Sequence, residues 1–286
     1  MAELAEAGAV AFTDDGAPVQ RADLMRRALE YASMLGLPVI QHAEETAMTQ
    51  GGVMNEGVVS AMLGLDAIPR VAEEVMVERD IRLAEYLGAR YHVAHISTAG
   101  AVDLVRRAKA SNQRVTCEVT PHHFTLTDDL VRSFDTNTKM NPPLRTSDDV
   151  AAMKEGLKDG TIDVIATDHA PHSYDEKQVE YMHAPFGIVG LETAVGLAWT
   201  ELVSANVLTV VQAVEKFSVN PRTILRLPAI KVVEGEKANI TIIDPNIEWT
   251  VDPAAFRSKS KNSPFGGRKL RGRPFAVMNN GILQTC

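Results

Sequence analysis

Cysteine is nearly absent: the 286 residues contain two, Cys117 and the final Cys286. Two distant thiols make no disulfide framework, and their scarcity suits a reducing cytoplasm rather than secretion. Basic residues are outnumbered, 29 Lys and Arg against 37 Asp and Glu, for a formal charge of −8. The densest basic run, RKLRGR at 268–273, reads as a solvated face, so a nucleic-acid surface is not expected. No run of ~18 apolar residues occurs, which excludes a transmembrane helix. The start, MAELAEAGAV, lacks the basic residues and apolar core of a signal peptide and reads as the interior of a domain. Repeats and low-complexity tracts are also missing. What remains, 45% hydrophobic and 23% charged, is ordinary for a globular chain forming one large domain or one domain with a small annex.

Short apolar runs alternate with helical patterns. Ala9–Phe12 reads as a strand ending in TDDG. Leu24, Ala28, Tyr31, Ala32 and Leu35 recur at helical spacing, and Gly36 and Pro38 stop that helix. Val39-Ile40 is a strand ending in QHAEE, and 56–88 reads as helical with an interruption near Pro69. The run 92–95 is a strand ending in HISTAG, followed by a helix over 98–111. Val115–Val119 is a strand ending in TPHH; a helix through Met153 and Leu157 follows, then the strand that ends in TDHAPH. Strands alternating with helices imply parallel βαβ units. Each strand here ends in polar, ligand-capable residues, as expected of a (β/α)8 barrel, whose strand ends floor the active site. An open doubly wound sheet gathers its ligands near one switch point instead. After about 228 the texture changes, and KANITIIDP and FAVMNNGILQ read as short strands without intervening helices. The expected division is a barrel portion over 1–228 and a small β annex over 229–286.

Four strand ends supply candidate metal ligands, Asp15, His42, His95 and Asp168. Carboxylate and neutral imidazole are the usual ligands of catalytic zinc. A lone strand histidine is more often a hydrogen-bonded structural residue, but four such residues at four junctions point to one centre. Side chains alternate along a strand, so His92 and His95 face opposite ways; His95, at the carboxyl end, is chosen and His92 is structural. His169 is expected to turn away from Asp168. His122 and His123 stand equally between orienting metal ligands and filling a loop.

FTDDG, QHAEE, HISTAG, KMNPPLR, TDHAPH and APFGIVGLETA, in that order, resemble bacterial dihydroorotases of the amidohydrolase superfamily. The resemblance implies a (β/α)8 barrel with a small β domain and zinc-dependent, reversible hydrolysis of dihydroorotate to N-carbamoyl-aspartate in pyrimidine synthesis. It implies that Asp15, ranked above Asp14, bridges two metals and that His42 and His95 hold one of them. Asp168 would bind the other metal and act as general base and acid. Asn141 and His172 match substrate contacts, and Phe186 and Gly187 match a loop holding the pyrimidine ring through its backbone. The segment 173–185 is expected either to cover the site or to be an ordinary surface loop. Hydantoinases, dihydropyrimidinases and allantoinases resemble the pattern too, but they usually bridge their metals with a carboxylated lysine, and the corresponding strand end here offers none.

The family pattern opens with HxHxR, two metal histidines and an arginine, and this sequence contains no His-x-His. The chain is therefore expected to hold about strands 4 to 8 of the barrel, to be impaired, and to bind fewer than the two zinc ions of an intact site. Two other readings stand beside catalysis. One is another cyclic amidohydrolase, hydantoinase- or allantoinase-like. The other is a non-catalytic scaffold for aspartate carbamoyltransferase. A homodimer fits the family, and neither nucleic acid nor membrane is expected as a partner.

Overall fold

A computed structural model describes residues 1–111 and 114–285. Cys286 lies outside the described residues. Five strands form one parallel sheet in the order β1-β2-β5-β6-β7: β1 (Phe12–Thr13), β2 (Val39–Gln41), β5 (Tyr91–Val93), β6 (Val115–Val119) and β7 (Val164–Ile165). Between β2 and β5 lie two two-residue strands, β3 (Met54–Asn55) and β4 (Ala67–Ile68), paired in parallel with each other. All five expected strands of the parallel sheet are present.

The helices between them bury one face against the sheet. In Ala22–Met34 that face is Met25, Leu29 and Ala32, which pack with Met76, Val77, Ile81 and Ala84 of Val71–Leu87. Leu24 and Tyr31, whose spacing marked the helix, are 52% and 41% exposed. Both sets have helical spacing, so periodicity alone does not choose the face. Gly36, at φ +70°, ends this helix as expected. The expected helix over 56–88 resolves instead into Val58–Leu63, closed by Gly64 at φ +67°, then β4, then Val71–Leu87. Helices Ala99–Ser111 and Ser147–Asp159 match expectation; the second starts on a capping box in which Thr146 and Asp149 bond each other's backbone amides.

Register decides which side chains share the sheet's inner face. Thr13 lies beside Ile40, Ile40 beside His92, and His92 beside Thr116. Their neighbours Val39, Tyr91 and Val115 point to the helices and join the core. The carboxyl ends of the strands fall on one side, and each of the four expected ligands sits one to three residues beyond its strand end.

The C-terminal strands β8 (Ile240–Thr250), β9 (Lys269–Asn279) and β10 (Ile282–Thr285) form an antiparallel sheet, order β10-β9-β8. Asn280 and Gly281, at φ +50° and +80°, make the two-residue turn between the last two. This sheet shares a core with the preceding chain, since Leu270 and Val251 pack in one cluster with Ile188, Val189 and Leu197.

Candidate metal centre and substrate pocket

Asp15, His42 and His95 come together just past β1, β2 and β5, each offering a ligand atom within 4.8 Å of the others. His42 Nδ1 lies 3.1 Å from His95 Nε2, and Asp15 Oδ1 lies 3.7 Å from His95 Nε2. Both imidazoles are buried, while Asp15 is exposed. His42 Nε2 is 2.9 Å from Glu44 Oε2. An ionised carboxylate only accepts, so Nε2 donates and the lone pair of neutral His42 sits on Nδ1, aimed into the centre. Two nitrogens bonded tetrahedrally to one zinc at about 2.0–2.1 Å lie roughly 3.3 Å apart, close to the spacing seen here. Two imidazole nitrogens and a carboxylate in this arrangement fit a divalent cation.

Charge is concentrated around this point. Burial lowers the His95 pKa, but the nearby Asp15 carboxylate and the charges of Asp168 and Glu118 outweigh it and raise it to about 9. A cation must therefore displace a proton from His95. The nearby His95 holds the Asp15 carboxyl below its usual range against the effect of burial. Asp168 is coupled electrostatically to His95, Asp15 and His42 but is not one of the close-set trio. Burial raises its carboxyl above the usual range, with the Asp15 charge adding to the rise and His95 opposing it. His95 and Asp168 both have positive φ, +28° and +45°. Non-glycine residues hold that conformation where surrounding structure imposes it, commonly at functional sites.

Two acids that the strand-end pattern did not single out complete the centre. Glu44 accepts from His42, from Asn141 Nδ2 at 2.6 Å and from Thr49 Oγ1. Burial raises its pKa, but these three donors outweigh that and bring it to about 2. Glu118 lies on β6, where Val115, Cys117 and Val119 are buried against the helices and Thr116 and Glu118 face inward. It accepts from His92 Nε2 at 3.2 Å and from the His95 amide at 3.4 Å. His92 Nδ1 accepts from Thr116 Oγ1 at 2.8 Å. His92 is thus structural, yet one residue removed from the centre through Glu118. Its alternating position inside an apolar strand was the signal for Glu118; Glu44 had only its two-residue spacing from His42.

The other histidines fall into distinct roles. His123 is buried, with Nδ1 accepting from Thr120 Oγ1 at 2.8 Å and Nε2 donating to Pro142 O at 2.9 Å, and burial lowers it to about 3. It holds the MNPPLR segment. His122 is buried, its Nε2 has no partner among the described residues, and burial keeps it neutral. His169 turns away from Asp168 and accepts at Nδ1 from the Gly190 amide at 3.1 Å.

A cavity of about 360 Å³ is lined by Glu44, Lys139, Asn141 and Phe186 among others, and is joined to the trio through the Glu44 bond to His42. His172, expected to contact substrate, donates from Nε2 to Phe186 O at 2.8 Å and so holds the 186–187 loop. Gly187 sits at φ +115°, where an added Cβ would lie 2.5 Å from Ala170 Cβ, so the turn requires glycine. The segment 173–185 is packed down: Lys177 Nζ donates to Pro185 O at 2.7 Å, and Lys139 Nζ donates to Tyr181 O and Met182 O at 2.9 and 2.8 Å.

Residues 1–101 match the Dihydro-orotase-like family. A dihydroorotase of Pelotomaculum thermopropionicum is 62% identical over 98% of this chain and 66% of its own length. One of Geobacter metallireducens is 54% identical over 99% of this chain and 67% of its own length. The chain thus spans about two thirds of the length of these curated relatives. Among solved structures, an L-hydantoinase of Arthrobacter aurescens superposes with a TM-score of 0.87 at 26% identity, covering 98% of this chain and 66% of that one. With more than half its residues identical to those of curated dihydroorotases along nearly all of its length, the chain belongs to the dihydroorotase family.

Proposed function

We propose that this centre serves the zinc-dependent, reversible hydrolysis of dihydroorotate to N-carbamoyl-aspartate, in the cytoplasm. The single observation that carries the reading is the convergence of Asp15, His42 and His95, with Glu44 linking His42 to Asn141 of an adjoining cavity. Asp15, His42 and His95 hold a first zinc; Asp15 and Asp168 are the only residues assigned to a second, so fewer than two full sites are expected. When bound, the cation polarises a carbonyl and makes water acidic enough to be deprotonated near neutral pH. The rest falls to the chain's own groups. Asp168, its carboxyl raised by burial, takes a proton from the attacking water and passes it to the leaving ring nitrogen. Asn141, oriented by Glu44, binds the polar edge of the substrate. His172 acts one step back, holding the backbone of Phe186 and Gly187 against the ring. The parallel-sheet portion, 1–228, supplies these groups as about strands 4 to 8 of a barrel, and 229–286 forms the β annex.

The test is ring opening of dihydroorotate by the zinc-loaded chain, with hydantoin as competitor and Asp168→Asn beside the wild type. Turnover of dihydroorotate in preference to hydantoin, lost in Asp168→Asn, is the expected result. Preference for hydantoin would move the chain to its hydantoinase-like cousins. Full activity in Asp168→Asn would refute the proton role. Zinc binding without turnover of either substrate would favour the scaffold reading, with aspartate carbamoyltransferase or a second copy as partner.

A further inference from the structure

At the end of the parallel strands opposite the metal centre, a cavity of about 280 Å³ opens between the residues that precede β2, β5 and β6. Three guanidiniums line it, Arg90, Arg114 and Arg226, with the hydroxyls of Ser33 and Thr116, and no Asp or Glu is among the lining residues. The chain as a whole is acidic, with a formal charge of −8, so a wall carrying three arginines and no acidic residue is a local reversal of sign. Two of the arginines are held by backbone. Arg90 donates to Gly36 O at 3.3 Å and to Ile224 O, and Arg114 donates to Gly88 O. Arg226, at φ +54° just beyond helix Asn220–Ile224, makes no hydrogen bond or ion pair through its guanidinium among the described residues. It reaches across Gly36, where a Cβ would meet its Nη1 at 2.8 Å. Burial lowers the pKa of Arg90, and the charges of Arg226 and Arg114 lower it further, with no acid countering them.

We propose that this cavity is a binding site for a small phosphate-bearing anion, gripped by Arg90, Arg114 and Arg226. Planar guanidiniums present paired donors that match phosphate oxygens, and an anion here relieves the mutual repulsion of three cations. Thr116 Oγ1, on the cavity wall, also bonds His92, so the site abuts the polar interior that leads to Glu118. The volume exceeds that of one phosphate and admits a small organic group beside it.

Isothermal titration calorimetry on the purified chain in low-salt buffer tests this, with inorganic phosphate and ribose 5-phosphate as probes. Saturable binding that weakens as chloride is added is expected. Arg226→Gln should weaken it roughly tenfold or more, the loss of a charge-assisted contact, without shifting the unfolding midpoint. Arg226→Lys, keeping the charge, should retain most of the affinity. Arg107→Gln, at an exposed arginine paired with Asp103, should change nothing. Tighter binding of ribose 5-phosphate would identify an organic phosphate as the ligand, and equal binding inorganic phosphate; both support the site. No saturable binding at millimolar concentrations, or equal binding by Arg226→Gln, would overturn it.

Discussion

At the scale of single residues the centre depends on which imidazole nitrogen carries a proton. Glu44 fixes this for His42 by accepting at Oε2 from Nε2, which leaves Nδ1 free for a cation. Glu44→Gln removes the charge while keeping the shape. Zinc affinity, measured by competition with a chromophoric chelator, should fall about 10- to 100-fold, the usual cost of losing a residue that orients a metal ligand. An unchanged affinity would mean that His42 is oriented by something else. The bond from Asn141 would lose its charge assistance in the same variant, so the Michaelis constant for dihydroorotate should rise as well. The close-set trio Asp15, His42 and His95 was legible in the sequence because each residue follows an apolar run. Glu44 and Glu118 were not, because their importance lies in what they touch across 97 and 26 residues of chain, respectively Asn141 and His92.

At the scale of elements, legibility follows pattern. The helices of 13 or more residues carried enough periodicity to be read, and the strands of the main sheet, two of them only two residues long, were read from apolar runs that stop at polar residues. β4 (Ala67–Ile68) was absorbed into the helix expected over 56–88, and its partner β3 (Met54–Asn55), just before that range, was not read. The buried face of Ala22–Met34 could not be read because two apolar stripes overlap and only packing selects Met25 and Leu29. The segment 173–185 stood evenly between cover and plain loop, and its anchors, Lys139 and Lys177, are buried cations that no spacing announces. Burial lowers both ammoniums to about 8, the Lys139 charge adding to the shift at Lys177. In the unfolded chain a lysine titrates near 10.5, so between pH 8 and 10.5 the unfolded state holds more protons than the folded one. These two lysines therefore make stability rise with pH across that window, and their contribution is smallest below pH 8. Denaturant titrations at pH 8 and near 10 should show that rise, and Lys177→Met should reduce it. A variant with the same pH dependence as the wild type would show that Lys177 keeps its ordinary pKa in the fold.

At the scale of the whole molecule, the centre exists only when the sheet does. His42 and His95 are 53 residues apart in sequence, and parallel pairing of β2 with β5 brings their nitrogens to 3.1 Å. The unfolded chain has no such site, so a cation bound by the trio stabilises the fold by mass action, by about 2.7 kcal/mol at a hundred times its dissociation constant. Zinc should accordingly raise the unfolding midpoint, and a chelator should reverse the rise. His95→Ala should abolish most of the shift, since it removes one of two imidazoles and leaves Asp15 and His42. Asp168→Asn is the informative variant. Asp168 is coupled to the trio by charge without belonging to it, so its amide should leave most of the zinc-induced shift in place while proton transfer is lost. If Asp168→Asn abolished the shift as fully as His95→Ala, the same ion would need the Asp168 carboxylate, and the division between a trio that holds the metal and an acid that moves the proton would fail.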